Sequence, residues 1–163
     1  MKVALSVQCN RVMAQLNTKK FGPLEFREDS VFLFPAGLPA FEHEKEFVPI
    51  ADPATAGLVY LQSVHTRDLC FLAFPVGAVD PHYQLQVGTD DLASLGLDTG
   101  RQPRPGTEVL VLVLLCITAN SPVTANLLAP VVVNLANRRA VQAVRSDGRY
   151  SPRHKVAEAV AAC

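Results

Sequence analysis

The segment Thr124-Ala-Asn-Leu-Leu-Ala-Pro-Val-Val-Val-Asn134 is the stretch of sequence that tells most about the fold. The turn residues Asn120-Ser-Pro122 lead into a short extended piece, and Pro130 then opens a run of β-branched residues. A proline is tolerated at the first residue of a strand, because the hydrogen-bond ladder does not need its missing N–H there. A polar turn over residues 134–139 precedes a second extended segment at 140–144. The pattern predicts short strands joined by tight turns.

Further short strands, separated by proline and glycine, are predicted along the rest of the chain. They cover residues 16–21, 31–34, 47–50, 58–64, 69–76, 82–87 and 109–117. The 58–64 and 69–76 segments are joined by four polar residues, which is typical of a hairpin. Residues 109–117 are almost unbroken Val and Leu, which indicates a central strand buried on both faces. Pro49 suggests that the 47–50 strand lies at an edge.

Two short helices are predicted. Thr89 can cap the first helix, Asp90 and Asp91 complement its positive end, and Gly96 stops it after Leu95. Ser151 followed by Pro152 can start the second, with Val156 and Val160 on one face. Together these elements predict a mainly β protein, a small antiparallel β-barrel-like single domain with one or two short helices.

The chain has 163 residues, enough for one domain with a substantial core. Its formal net charge is zero, which argues against a dedicated nucleic-acid binder. The first residues lack the apolar run of a signal peptide, and residues 109–117 are too few to span a bilayer, so we expect a cytoplasmic protein without membrane contact. Cys70 and Cys116 lie in apolar runs that predict core positions, whereas Cys9 and Cys163 lie near the ends, where exposure is expected.

The charges are unevenly distributed along the chain. Acidic residues dominate from residue 25 to residue 52, and basic residues dominate after Asn134. Such an asymmetry can steer a charged partner, although solvated surfaces also carry charge clusters of this kind.

The sequence contains little that suggests catalysis or ligand binding. Glu42-His43-Glu44 would bind a metal only with distant ligands, so a solvated loop is the better interpretation. Ser63, His65 and Asp68 have the residue types of a hydrolytic triad but no nucleophile elbow, and polarity at a hairpin tip explains them more simply. There is no glycine-rich phosphate loop. We therefore predict no catalytic residue, metal or cofactor.

Asn126 and Asn134 sit at turns, where asparagine usually bonds nearby backbone, so structural roles are expected for both.

Five motifs in order along the chain resemble the flagellar assembly factor FliW family over roughly residues 16–155. They are Phe34-Pro-Ala-Gly-Leu-Pro-Ala-Phe-Glu42, Tyr60-Leu-Gln-Ser63, Phe71-Leu-Ala-Phe74, Thr124 to Asn134 as quoted above, and Tyr150-Ser-Pro-Arg-His154. The match predicts a FliW-like β domain over residues 16–155, with an N-terminal extension at 1–15 and a C-terminal tail at 156–163.

The resemblance implies a protein that is not an enzyme and that binds other proteins. Members of the family bind the RNA-binding translational regulator CsrA and relieve its repression of flagellin messenger RNA, and they bind flagellin. The alternatives are a flagellin-specific chaperone without regulator contact and, more remotely, a hydrolase that uses Ser63, His65 and Asp68.

Two positions depart from the family pattern. Ala40 replaces a glycine and restricts a turn, and Ala125 replaces a β-branched residue. The neutral chain also favours a specific docking patch over charge mimicry of RNA.

The partner site is predicted in the acidic first half of the chain. Its residues are Phe41, Glu42, Glu44 and Glu46, together with Tyr60, Gln62 and Ser63. Phe41 is expected either as an apolar anchor within a polar rim or as a residue that closes one end of the barrel. The alternative docking face is the arginine-bearing segment from Arg138 to Arg153.

Overall fold

The computed structural model describes residues 12–156. Within them, short strands alternate with turns, as the proline and glycine spacing predicts. The strands are β1 Met13–Thr18, β2 Gly22–Arg27, β3 Phe32–Leu33, β4 Glu46–Ala51, β5 Val59–Ser63, β6 Cys70–Pro75, β7 Val109–Cys116, β8 Thr124–Ala125, β9 Val131–Asn134, β10 Ala140–Gln142 and β11 His154–Lys155. The helices are α1 Val76–Val79 and α2 Thr89–Leu95. No helix in residues 12–156 has the length and apolar character needed to cross a membrane.

One sheet curls into a nearly closed barrel. Its strand order is β10-β9-β7-β6-β5-β4-β3, and each neighbouring pair is antiparallel. A parallel bridge between Leu33 of β3 and Arg139, the residue before β10, brings the two ends of this strand order together. The Leu33 amide donates a 2.9 Å hydrogen bond to the Arg138 carbonyl. The predicted fold class is confirmed: the protein is a mainly β, antiparallel, barrel-like single domain.

Pro35 limits this closure to one bridge. The next donor in a parallel ladder would be the amide of residue 35, and proline has none. Its carbonyl instead accepts a 3.0 Å hydrogen bond from Lys45 Nζ. Pro49 lies in β4 beyond the two residues that pair with β3, so among the described strands only β5 pairs with β4 at this point. This agrees with the predicted edge position.

Strand β7 has apolar side chains on both faces, as predicted for a central strand. Val109, Val111 and Val113 pack into an outer core that lies between the sheet, α2 and the segments after β10. Leu112 packs into the barrel interior with Phe34, Phe47, Leu61 and Val131 among others. The strand ends one residue before the predicted end.

Cys116 is exposed because it is the last residue of β7, so its predicted core position is wrong. Cys70 is half-buried, and burial raises the pKa of its thiol. Cys9 and Cys163 lie outside the described residues.

Helix α2 forms where the sequence predicts it, with Leu92 and Leu95 buried. Its N-cap is Gly88 rather than Thr89, and no side chain caps the first turn. Gly96 ends the helix in the left-handed conformation, with φ 73°, and donates to the Ala93 carbonyl.

The predicted strand at residues 82–87 and the predicted second helix are wrong. Residues 82–87 do alternate in burial, but side chains satisfy their backbone: Gln102 both donates to and accepts from Val87, and the Tyr150 hydroxyl accepts from the Gln84 amide. After Ser151 the chain turns and enters β11, which pairs with β8. Strand pairing has overridden the local helix signal there, and Val160 lies outside the described residues.

Strands β1 and β2 form a separate two-stranded ribbon. The predicted strand at 16–21 is shifted, since β1 covers residues 13–18, residues 19–21 form the turn, and Gly22 begins β2. Residues 13–15, which the sequence analysis placed in the N-terminal extension, are thus part of β1. The turn packs on the barrel through the Phe21 ring, whose centroid lies 5.2 Å from that of Tyr60.

Candidate functional site

The acidic turn, residues 39–46, is built from two consecutive tight turns. The Phe41 amide donates to the Leu38 carbonyl at 2.7 Å, and the Glu44 amide donates to the Phe41 carbonyl at 2.9 Å. Gly37 permits this path, because a Cβ there would lie 2.6 Å from the backbone of Glu42. The turn therefore holds its side chains in fixed positions.

Ala40 adopts the left-handed conformation in this turn, with φ 68°. Ala40 thus holds a backbone conformation that favours glycine. The Ala40 amide donates a 3.0 Å hydrogen bond to the exposed carboxylate of Glu42. The amides of Glu42 and Ala40 lower the pKa of that carboxyl group, so Glu42 remains ionised.

Glu44 is buried, with 1% of its surface exposed. Its carboxylate accepts hydrogen bonds from the hydroxyls of Ser63 and Thr66. Ser63 Oγ in turn accepts from the amides of His65 at 3.1 Å and Thr66 at 2.8 Å. This group, which we name the Glu44 lock, joins the acidic turn to the tip loop of the β5–β6 hairpin, residues 65–68. The prediction that Glu44 and Ser63 are surface contacts for a partner is therefore corrected to a structural role.

The pKa of Glu44 reflects two opposing effects. Burial disfavours the charged carboxylate, but hydrogen bonds from Ser63 and Thr66 outweigh it and leave the pKa below its usual value. The buried group is therefore an anion at neutral pH.

Gln62 is also buried, with no exposed surface. Its amide nitrogen lies 3.1 Å from the carbonyl oxygens of both Ser63 and Leu69, which flank the tip loop. The predicted contact role of Gln62 is corrected in the same way, because the side chain supports the loop from within.

Phe41 closes one end of the barrel, which was the alternative to its being an exposed anchor. The half-buried ring packs edge-on against Phe71, with centroids 5.2 Å apart. Tyr60 is half-buried beneath the ribbon, where Lys20 Nζ lies 4.8 Å from its ring centroid. The seven predicted site residues therefore do not form one surface.

The solvent-facing part of the predicted site is small. Glu42 and His43 are exposed, and half-buried Glu46 bonds His65 Nε2 at 2.8 Å. The Glu44 lock fixes all of them relative to the barrel. What the arrangement offers chemically is a rigid acidic protrusion beside an imidazole.

No hydrolytic triad is formed. Ser63 Oγ is committed to Glu44, His65 Nε2 to Glu46, and Asp68 lies 3.4 Å from Lys19 Nζ. Ser63, His65 and Asp68 therefore lack the geometry that the remote hydrolase interpretation requires. In residues 12–156, no group of three or more histidines, cysteines or carboxylates is placed to hold a metal ion.

The arginine-bearing segment is partly structural. The Arg145 side chain is buried, donates to Asp147 and to the Gln84 carbonyl, and stacks 4.9 Å from the Tyr150 ring centroid. Arg145 thus ties down the 82–87 segment and is unavailable to a partner. Asn126 and Asn134 have the predicted structural roles: Asn126 accepts from Ala129 at 3.0 Å, and Asn134 donates to the Leu95 carbonyl at 2.9 Å.

Sequence reasoning missed a groove of about 710 Å³ between β1 and the end of the barrel. We name it the ribbon groove. Its floor includes Phe26, Val31, Leu33 and Val64, and Glu46 connects it to the acidic turn. The alternation that starts at Val12-Met-Ala-Gln-Leu16 was a signal for β1, but the partner across the groove is distant in sequence.

Comparison with known proteins gives a consistent result. A family model described as FliW protein matches residues 15–156. The flagellar assembly factor FliW of Syntrophomonas wolfei subsp. wolfei is 34% identical over 136 residues, which cover 83% of each chain. That of Bacillus subtilis (strain 168) is 30% identical over 141 residues, or 86% of this chain and 95% of the relative.

A solved structure agrees. A crystal structure of the flagellar assembly factor FliW matches with a TM-score of 0.75 and 28% identity, covering 87% of this chain and 96% of the other. The sequence match, the barrel and the attached ribbon lead to one conclusion: the chain belongs to the flagellar assembly factor FliW family.

Proposed function

We propose that this protein is a cytoplasmic, protein-binding regulator that antagonises a CsrA-type RNA-binding translational regulator and also binds flagellin, coupling the level of flagellin to its translation. Membership of the FliW family supports a role in flagellum assembly. The observation that carries the finer proposal is the rigid acidic turn, in which a buried lock presents Glu42 and Glu46 at the surface.

The exposed acids favour a protein partner. Carboxylates repel the phosphates of RNA, whereas the basic surface that an RNA-binding protein uses for phosphate would be attracted to them. With zero net charge, the whole chain is a poor mimic of RNA, so recognition depends on the local geometry of the acidic turn.

The second candidate function is a flagellin-specific chaperone without regulator contact. The apolar side chains that line the ribbon groove beside the acidic turn, among them exposed Leu33, favour this candidate, since a chaperone covers apolar surface of its client.

Calorimetric titration of the purified protein against a CsrA-type regulator and, separately, against flagellin distinguishes the two. Binding heat with both proteins supports the proposal. Heat with flagellin alone supports the chaperone, and heat with neither overturns both.

The role of the acidic turn is tested by the double variant Glu42→Lys, Glu46→Lys. Both carboxylates reach solvent, so the variant should remain folded but associate with the regulator more slowly and with a weaker dependence on salt. Asp98→Lys, an exposed reversal on the loop after α2, is the matched control and should leave the kinetics near those of the wild type. Unchanged association kinetics of the double variant at low salt would contradict binding at the acidic turn. The exposed arginines between residues 138 and 153 would then be the alternative docking face.

A further inference from the structure

The outer edge of β1 is an unpaired strand edge within residues 12–156, where β1 pairs only with β2. The Glu28 amide donates to the Val12 carbonyl at 3.2 Å, which marks residues 12 and 28 as a hydrogen-bonded pair. Because such pairs alternate along an antiparallel ladder, the N–H and C=O groups of Met13, Gln15 and Asn17 point away from β2.

Two neighbouring residues confirm this alternation. Pro23 lies opposite Asn17, at a pair that needs no amide from β2. Lys19, the next odd-numbered residue, donates its amide to the Arg67 carbonyl of the tip loop at 3.2 Å and not to β2. The free edge therefore faces the barrel end, where the ribbon groove lies.

Among the residues that the structure describes, nothing in β1 itself protects this edge against strand addition. Natural edge strands carry charges, prolines or bulges that prevent pairing with another chain. The six residues of β1, Met-Ala-Gln-Leu-Asn-Thr, include no charge and no proline. All six also pair in regular register with β2, so no bulge interrupts the strand.

The groove beside this edge has a defined chemistry. Ala14 and Leu16 are half-buried while Met13 and Gln15 are exposed, so the even-numbered side chains of β1 turn toward the barrel. A residue paired opposite Ala14 or Leu16 would point the same way, onto the apolar floor that contains Leu33, itself 40% exposed.

The described lining of the groove is acidic on balance, with three carboxylates, Glu28, Asp29 and Glu46, and one guanidinium, Arg138. Glu28 lies at the Met13 end of β1, since its amide donates to the Val12 carbonyl. A basic side chain on an added strand is therefore favoured beside Glu28.

We propose that β1 is a docking edge for an extended peptide segment of a partner protein, which adds antiparallel to β1 as a third ribbon strand. Its alternate side chains are apolar and fill the ribbon groove, and a lysine or arginine at its C-terminal end lies beside Glu28. Main-chain hydrogen bonds to Met13, Gln15 and Asn17 supply the pairing, and the groove supplies the side-chain preference. The inference goes beyond the proposed function, because it does not depend on which protein contains the segment.

The test uses a fluorescein-labelled peptide, acetyl-Thr-Val-Thr-Val-Thr-Lys-amide, and fluorescence anisotropy with the full chain. Wild type should bind it saturably, and a peptide with both valines replaced by serine should bind at least tenfold more weakly. The variant Gln15→Pro removes an outward N–H without touching the β2 ladder and should also weaken binding at least tenfold. Gln15→Thr is the matched control: it equally loses the 3.0 Å bond to Glu25 but keeps the amide, and should bind as wild type does.

Three results would overturn the proposal. One is equal binding of the peptide by Gln15→Pro and Gln15→Thr, with both folded by circular dichroism. Another is concentration-dependent dimerisation of the wild type that Gln15→Pro abolishes, since a second copy would then be the occupant. The third is a tenfold gain in peptide affinity for Leu5→Asp, because the chain's own first residues would then compete for the edge. Failure of the regulator titration leaves this peptide measurement unaffected.

Discussion

The Glu44 carboxylate accepts a hydrogen bond from the Ser63 hydroxyl, which connects the acidic turn to the end of β5 across nineteen residues of sequence. Thr66 donates to the other carboxylate oxygen, so the turn and the tip loop are held by one buried anion. An acid that sequence reasoning placed on the partner surface instead supports that surface from below.

Glu44→Gln should lower the free energy of unfolding by about 1–3 kcal/mol, because the amide group leaves one of the two hydroxyls without an acceptor. Urea unfolding of the wild type and the variant measures the difference. Glu46→Gln is the control, since that carboxylate is partly solvated, and it should cost less than about 1 kcal/mol. Equal stability of wild type and Glu44→Gln would show that the lock contributes no net stability.

Acid should destabilise the protein in part through Glu108. Hydrogen bonds from Arg101 and from the Arg104 amide lower the pKa of Glu108 from 4.5 to about 2. Since the folded pKa is the lower one, the stabilisation is complete above pH 4.5 and is lost as the pH falls from there toward about 2. Glu108→Gln should therefore show a shallower loss of stability over this range than wild type. A parallel pH profile of the two proteins would contradict the assignment.

Ala40→Gly should raise the free energy of unfolding by about 1 kcal/mol, because glycine adopts a φ of 68° without the steric cost that alanine incurs. Thermal unfolding by circular dichroism measures the gain. Ala36→Gly, at an exposed position of the same loop without a positive φ, is the control and should give no gain. A loss of stability in Ala40→Gly would show that chain entropy outweighs the strain.

Val113→Asp should abolish folding or cost at least about 3 kcal/mol, because it buries an unpaired charge in the outer core. Ile117→Asp, just past the end of the same strand and 59% exposed, should change stability by less than about 0.5 kcal/mol. A free energy of unfolding for Val113→Asp equal to that of the wild type, measured by urea unfolding, would refute the two-faced packing of β7.

The sequence predicted those features that depend on local pattern. The unbroken run in β7, the hairpin around residues 65–68 and the stop of α2 at Gly96 were all visible, because burial and turn chemistry fix them locally. What could not be predicted depended on distant partners. The sequence near Glu44 does not indicate that Ser63 and Thr66 will donate hydrogen bonds to it. The sequence near Ser151 does not indicate that the residues after it will pair with β8.

The candidate site also contains some features that local sequence predicts and others that depend on distant partners. Glu42 was predicted to be an exposed acid and is one, because its turn is local. Gln62 and Ser63 are polar residues at the end of a strand, and only the folded hairpin shows that the tip loop closes over them. The ribbon groove arises between elements that share no sequence signal, so composition and spacing could not reveal it.

The alternation of valine and leucine along β7 has a consequence for the register of this strand in the sheet. A slip by one residue would exchange the valines of the outer core with the leucines of the interior, and both sets are apolar, so polarity cannot oppose the error. The energy difference between the correct and the shifted register must come from side-chain size and from the polar residue Glu108 just before the strand. There the Glu108 carboxylate is held by Arg101 and by the Arg104 amide, each at 2.9 Å. Side-chain size and this ion cluster at the rim thus together oppose a shift of the long apolar strand.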